Sequence, residues 1–146
     1  MLRISEDLIE QISKLVKQGY PKEVCGVLLG ERDIEIKDVK DFHPLANATS
    51  ENAANRYKID PAEYKNIEEQ AKQAGLEIIG VYHSHPDAAA KPSAVDSDEA
   101  WPVYSYLIFS CMNGKGVTSK SWEYNESSKK FEEEELDILA EEMGEA

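Results

Sequence analysis

With 146 residues, 41% of them hydrophobic and 31% charged, the chain suits one globular domain with a real core, and its balance excludes a disordered polypeptide. A net charge of −13 argues against nucleic acid as a partner, because its phosphates would be repelled. No run approaches the roughly eighteen consecutive apolar residues of a membrane helix, and residues 1–14 lack the basic start and apolar stretch of a secretory signal, so the expectation is a soluble, cytoplasmic protein with no membrane partner.

In chain order, Ser5 precedes apolar residues at Leu8, Ile9, Ile12, Leu15 and Val16, a spacing that lines one face of a helix. Ser5 is placed to cap its start and Gly19 to end it, and Pro21 bars continuation. Residues 24–30 (VCGVLLG) form a short apolar run between turn signals and predict a buried strand. Residues 34–42 alternate apolar and charged positions with one irregular step, which predicts a partly exposed strand that admits a bulge. Residues 45–55, rich in Asn, Ala and Ser, predict a loop, and residues 56–59 one more short strand.

Asp60-Pro61-Ala62-Glu63 is a helix start: Asp caps, Pro suits the first helical position, and Glu reaches back. Tyr64, Ile67, Ala71 and Ala74 supply its apolar stripe, and Gly75 closes it. Residues 77–82 (EIIGVY) predict a buried strand running into His83, followed by a small-residue loop at 87–92 and a short helix over 94–100. Residues 104–110 (YSYLIFS) and 117–124 predict two further strands. Leu136, Leu139 and Met143 predict a weak C-terminal helix inside a segment, 131–146, that carries eight acidic residues and no Lys or Arg. Such a run reads as solvated surface. The expected organisation is therefore a domain over 1–130 and an acidic C-terminal tail over 131–146. The interleaving of helices and strands gives an α/β or α+β class, a single three-layer domain with a mixed β-sheet flanked by helices.

The chemistry concentrates between residues 83 and 96. His83 and His85 stand at i and i+2 at the end of a strand, where a period of two points both imidazoles to one face and lets them chelate one ion. Asp96 lies past a loop long enough to fold back as a third ligand, and Asp87 and Asp98 are alternatives for that position. Two His and one carboxylate leave a fourth tetrahedral place for water, the arrangement of a catalytic rather than a structural zinc. Hydrolysis also needs a general base and an oxyanion donor. Glu23, between the first helix and the strand at 24–30, is the base candidate by position, and Ser93, three residues before Asp96, is the donor candidate. Each has a plainer reading: a surface carboxylate for Glu23, a helix cap for Ser93, and unrelated histidines for the pair.

His83-x-His85, seven residues, Ser93, two residues and Asp96 resemble the JAMM signature of MPN-domain metallopeptidases, and residues 21–30 (PKEVCGVLLG) resemble the segment that carries the family's upstream Glu. Pro86, Pro92 and the apolar strand ending at Ser110 match as well, and the resemblance runs from about Leu2 to about Trp122. It implies one Zn2+ held by His83, His85 and Asp96, with Glu23 as general acid/base and Ser93 bonding the oxyanion, on a cytidine-deaminase-like fold. No position of the five departs from the pattern, as in the active rather than the metal-free members. The resemblance further implies a ubiquitin-like partner with a C-terminal Gly-Gly. The short chain resembles the compact prokaryotic branch, linked to sulfur carriers of the ThiS/MoaD type. Isopeptidase action on a ubiquitin-like modifier attached to lysine, and a non-catalytic zinc-stabilised scaffold, are the competing readings.

Four other residues bear on the site. Ser84 should face away from the histidines, in a packing or supporting role. His43 reads as a strand-end residue and Cys25 as core, while Asp98 is a candidate for orienting a ligand histidine. Cys25 and Cys111 both read as buried free thiols.

Overall fold

The structure is a computed structural model that describes residues 1–45, 61–92 and 103–140. Its elements, in chain order, are β1 (Leu2–Ser5), α1 (Glu6–Gly19), β2 (Cys25–Arg32), β3 (Lys37–Pro44), α2 (Pro61–Gln73), β4 (Glu77–Pro86), β5 (Ser105–Met112), β6 (Gly116–Asn125), β7 (Lys130–Glu134) and β8 (Leu136–Leu139). The expected strand at 56–59 and helix at 94–100 lie outside the described residues.

α1 forms where its signals stand, and α2 closes at the expected Gly75; Asp60, the expected cap of α2, lies outside the described residues. The hydroxyl of Ser5 accepts from the N–H of Leu8 and caps α1, which buries Ile12 and Val16. In α2 Ile67 and Ala71 are buried. Beyond it, Gly75 takes a left-handed φ of 78°. There the N–H of Gly75 bonds the carbonyl of Lys72 and that of Leu76 reaches the carbonyl of Ala71, a Schellman closure that a residue without Cβ adopts at no steric cost. Ala74 falls in this closing turn and is exposed rather than part of the stripe.

Among the described residues the strands form one sheet in the order β7-β6-β5-β4-β2-β3-β1-β8. β4 and β5 run parallel, as do β1 with β3 and β1 with β8, and the remaining pairs are antiparallel, so the sheet is mixed. β3 begins later than its alternation predicts. Ile34 is fully exposed at the tip of a turn in which the Asp33 carboxylate accepts from the N–H groups of Glu35 and Ile36. The expected bulge is present: Leu29 pairs with Asp41 and Gly30 with Val39, leaving Lys40 extra.

One face of the sheet packs Leu28, Tyr82, Leu107 and Phe109 against Ile12 and Val16 of α1. The other packs Cys25, Val27, Val81 and Tyr106 against Ile67 and Ala71 of α2. This is the three-layer α/β domain the sequence predicts. Cys25 and Cys111 are both buried and free, and they belong to opposite layers, so the sheet itself separates them.

The acidic C-terminal stretch corrects the sequence reading. Residues 130–139 are not a solvated tail with a helix; they supply β7 and β8, at opposite ends of the hydrogen-bonding order yet only Glu135 apart in the chain. The sheet must curl for this to happen. The curl is visible where the N–H of Leu2 bonds the carbonyl of Glu135 and where Lys37 of β3 reaches Glu123 of β6 at 2.8 Å. The helical spacing of Leu136 and Leu139 is overridden because β1 offers a free edge, with which residues 136–139 pair over their whole length.

Candidate metal centre

The centre sits at the C-terminal ends of the parallel neighbours β4 and β5, the end where open α/β sheets bind ligands. β4 extends beyond its expected end at Tyr82 through His83-Ser84-His85-Pro86. Strand alternation then turns both histidines to one face, as predicted; it is the α2 face, and their Nε2 atoms stand 3.0 Å apart. His83 is buried and His85 half-buried. The Nδ1 of His85 lies 3.0 Å from the carbonyl oxygen of Ala89. A carbonyl only accepts, so Nδ1 is the donor in that bond, and Nε2 is the nitrogen turned toward His83. This is how proteins orient a ligating imidazole. For His85 the acceptor is thus a backbone carbonyl; Asp98, the expected candidate for orienting a ligand histidine, lies outside the described residues.

The donor set fits a divalent ion that takes nitrogen ligands. A tetrahedral ion about 2.0–2.1 Å from each nitrogen holds two of them about 3.3 Å apart, close to the separation observed. Among the described residues no group of three His, Cys, Asp or Glu converges. The expected third ligand, Asp96, and the expected oxyanion donor, Ser93, lie outside the described residues. Asp87, an alternative ligand from the sequence, has both oxygens engaged elsewhere. It accepts from the Tyr20 hydroxyl at 2.6 Å and from the Asn113 N–H at 2.7 Å. Those bonds, Tyr20 first, hold the Asp87 carboxyl below the usual carboxylate range.

Glu23 stands half-buried in the turn that enters β2. The entry is fastened to the histidine strand through Ser84, whose Oγ accepts from the Val24 N–H at 2.9 Å and whose N–H donates to the Val24 carbonyl at 2.9 Å. Ser84 therefore has the supporting role expected of a residue facing away from the histidines. Cys25 pairs directly across from His83. Burial pushes its thiol up to about 12, and the carboxylates of Glu63 and Glu23 add to the shift. Glu23 thus lies near the residue opposite His83. His43 is a strand-end residue, its Nδ1 bonded to the carbonyl of Pro44.

The loop after β4 contains contacts that spacing does not reveal. The carbonyls of Ala88, Ala89 and Ala90 are taken in turn by Ser110 Oγ, His85 Nδ1 and Trp122 Nε1. A run of three alanines carries no side-chain signal for this; only the register of β4, β5 and β6 brings Ser110 and Trp122 to it.

A mixed sheet between two helices, with paired histidines at the end of a central strand, is the architecture of a JAB-type domain. Residues 5–125 match the family of prokaryotic homologs of the JAB domain, and the chain belongs to that family. It is 36% identical over 126 residues to a desampylase of Haloferax volcanii, covering 83% of this chain and 87% of that one. It is 30% identical over 111 residues to a probable TtuB-protein conjugate cleaving protease of Thermus thermophilus, covering 75% and 70%. A solution structure of a protein from Desulfitobacterium hafniense superposes with a TM-score of 0.82 at 29% identity, covering 99% of this chain and 97% of that one.

Proposed function

We propose that the chain is a zinc-dependent peptidase that hydrolyses the bond after the C-terminal Gly-Gly of a ubiquitin-like protein, with a ThiS/MoaD-type sulfur carrier as the first substrate class. The observation that carries this reading is the pair of imidazole Nε2 atoms converging at 3.0 Å beside the strand entry that presents Glu23. His83, His85 and Asp96 would hold one Zn2+, which supplies an acidified water and a Lewis acid for the scissile carbonyl. The protein's own part is positional. Ala89 fixes the tautomer of His85, and Ser84 seats the Glu23 turn. Glu23 accepts the water's proton and returns it to the leaving amine, and Ser93 donates to the oxygen on which charge develops. An extended diglycine end suits a site that admits backbone and excludes larger side chains.

A second substrate reading is release of a ubiquitin-like modifier from a lysine conjugate, by the same chemistry. The names of the Haloferax and Thermus relatives, a desampylase and a conjugate cleaving protease, favour it.

One assay separates the readings. A ubiquitin-like carrier is offered with a peptide extension past Gly-Gly and, in parallel, joined to a lysine side chain. Cleavage of the extension supports the first reading and cleavage of the conjugate alone the second. Glu23→Ala should lower kcat by about 10²–10⁴-fold in either case, and a chelator should abolish turnover until Zn2+ is restored. Equal turnover by wild type and Glu23→Ala rules out the mechanism.

A further inference from the structure

We infer that Asp87 is a positioning residue for the metal centre: a carboxylate anchor on the α1 side of the sheet that sets the turn from which Ala89 orients His85. The inference rests on the metal reading above and adds a residue to it.

The geometry is a chain of fixed contacts. Asp87 follows Pro86 at the end of β4 and takes a left-handed φ of 56°, a conformation that needs a reason in a residue with a Cβ. The reason is supplied from three directions. Its N–H bonds the carbonyl of Cys111 at 2.8 Å, one carboxylate oxygen accepts from Tyr20 just after α1, and the other accepts from the backbone of Asn113 in the β5–β6 turn. One short side chain thus ties together the end of α1, the end of β4 and the β5–β6 hairpin. Beyond it the backbone reverses, and two residues later the Ala89 carbonyl receives the Nδ1–H of His85 at 3.0 Å. The position of that acceptor depends on the turn, and the turn is held by Asp87. Ser110 and Trp122 hold the neighbouring carbonyls, so the loop has little freedom to compensate.

The test uses metal affinity and imidazole tautomer, neither of which needs turnover. Asp87→Gly keeps the left-handed backbone at no steric cost and removes the anchor. Asp87→Asn tolerates the same backbone and restores an acceptor for Asn113 and a partner for Tyr20. Zn2+ affinity is measured by competition with a chromophoric chelator, on apoproteins shown to be folded by circular dichroism. Asp87→Gly should bind about 10–100-fold more weakly than wild type, the usual cost of losing the support behind a ligand. Asp87→Asn should stay within about threefold of wild type. In long-range 1H–15N spectra of the apoprotein, His85 should be the Nδ1–H tautomer in wild type and in Asp87→Asn, and a mixture in Asp87→Gly. If Asp87→Gly does not fold, Tyr20→Phe is read in the same two ways. Wild-type affinity and a single tautomer in the folded variants overturn the positioning role alone. A wild-type chain that binds no Zn2+ overturns the metal reading, and this one with it.

Discussion

Ser84 shows how a residue between two candidate ligands serves the site without touching it. Alternation sends its side chain to the opposite face, where Oγ receives the Val24 N–H while the Ser84 backbone returns a bond to Val24. The turn that carries Glu23 is therefore registered against the histidine strand by a pair of bonds one residue away. Ser84→Ala leaves the Val24 N–H without this acceptor in a partly buried place, which should cost about 1–2 kcal/mol in a urea titration. Its kinetic signature is more specific. Displacing Glu23, the proposed base, should affect the transition state more than the bound substrate, so kcat should fall with KM nearly unchanged. A rise in KM at constant kcat would show that Ser84 supports binding instead. Gly19 acts on the same turn from the other side: a Cβ there would meet Val24 Cγ1 at 2.3 Å. Gly19→Ala should therefore lower both stability and kcat, since β-branched Val24 has few rotamers into which to retreat.

The element scale is where the sequence is most and least legible. Both helices are readable because each carries an apolar stripe and a chemical terminus: Ser5 at the start of α1, Gly75 after α2. The buried strands β2, β4 and β5 are readable as apolar runs, and the His-x-His pair inherits its common face from strand periodicity. β1 is not readable, because its four residues merge into the cap of α1. The clamps on Ala88, Ala89 and Ala90 are invisible because they use backbone carbonyls. Two turns offer direct tests at this scale. Gly75→Ala places a Cβ at a left-handed φ and should cost about 1 kcal/mol, with activity unchanged because the cap is remote from the histidines in the chain's register. At the β2–β3 turn, the N–H groups of Ile36 and Glu35 hold the Asp33 carboxyl below its ordinary value of 3.8. A depressed folded-state pKa contributes stability that is present above the unfolded value and disappears as pH falls through the folded one. Asp33→Ala should therefore melt below wild type at neutral pH, and the two melting curves should converge as pH drops below 3.8. A constant gap across that range would place the effect in the turn's backbone rather than in the carboxylate.

At the scale of the molecule, the run 130–139 decides whether the sheet has open edges or a seam. β7 completes β6 and β8 completes β1, so one continuous stretch borders both ends of a curled sheet. Its acidity hides this in the sequence, because four consecutive Glu, 132–135, resemble a solvated surface run more than a strand. The alternation is nevertheless present: Glu134 turns inward and is almost wholly buried. There it accepts from the buried Ser121 hydroxyl at 2.6 Å, with the Lys37 ammonium at 3.9 Å and the N-terminal ammonium at 3.4 Å. Replacing Glu134 removes an acceptor from a buried hydroxyl but leaves Lys37 paired with Glu123 and the N-terminal ammonium bonded to the Glu35 carbonyl. Glu134→Ala should then cost about 1.5–3 kcal/mol, the range for a buried hydrogen bond to a charged group. Glu134→Gln, whose amide oxygen still accepts from Ser121, should cost less than half of that. Truncation after Lys129 is the harsher test. It exposes the edges of β6 and β1 together and uncovers Leu2 and Trp122, so it should abolish the cooperative denaturation transition rather than shorten a tail. A truncated chain with the wild-type denaturation midpoint would show that β7 and β8 decorate the sheet without closing it.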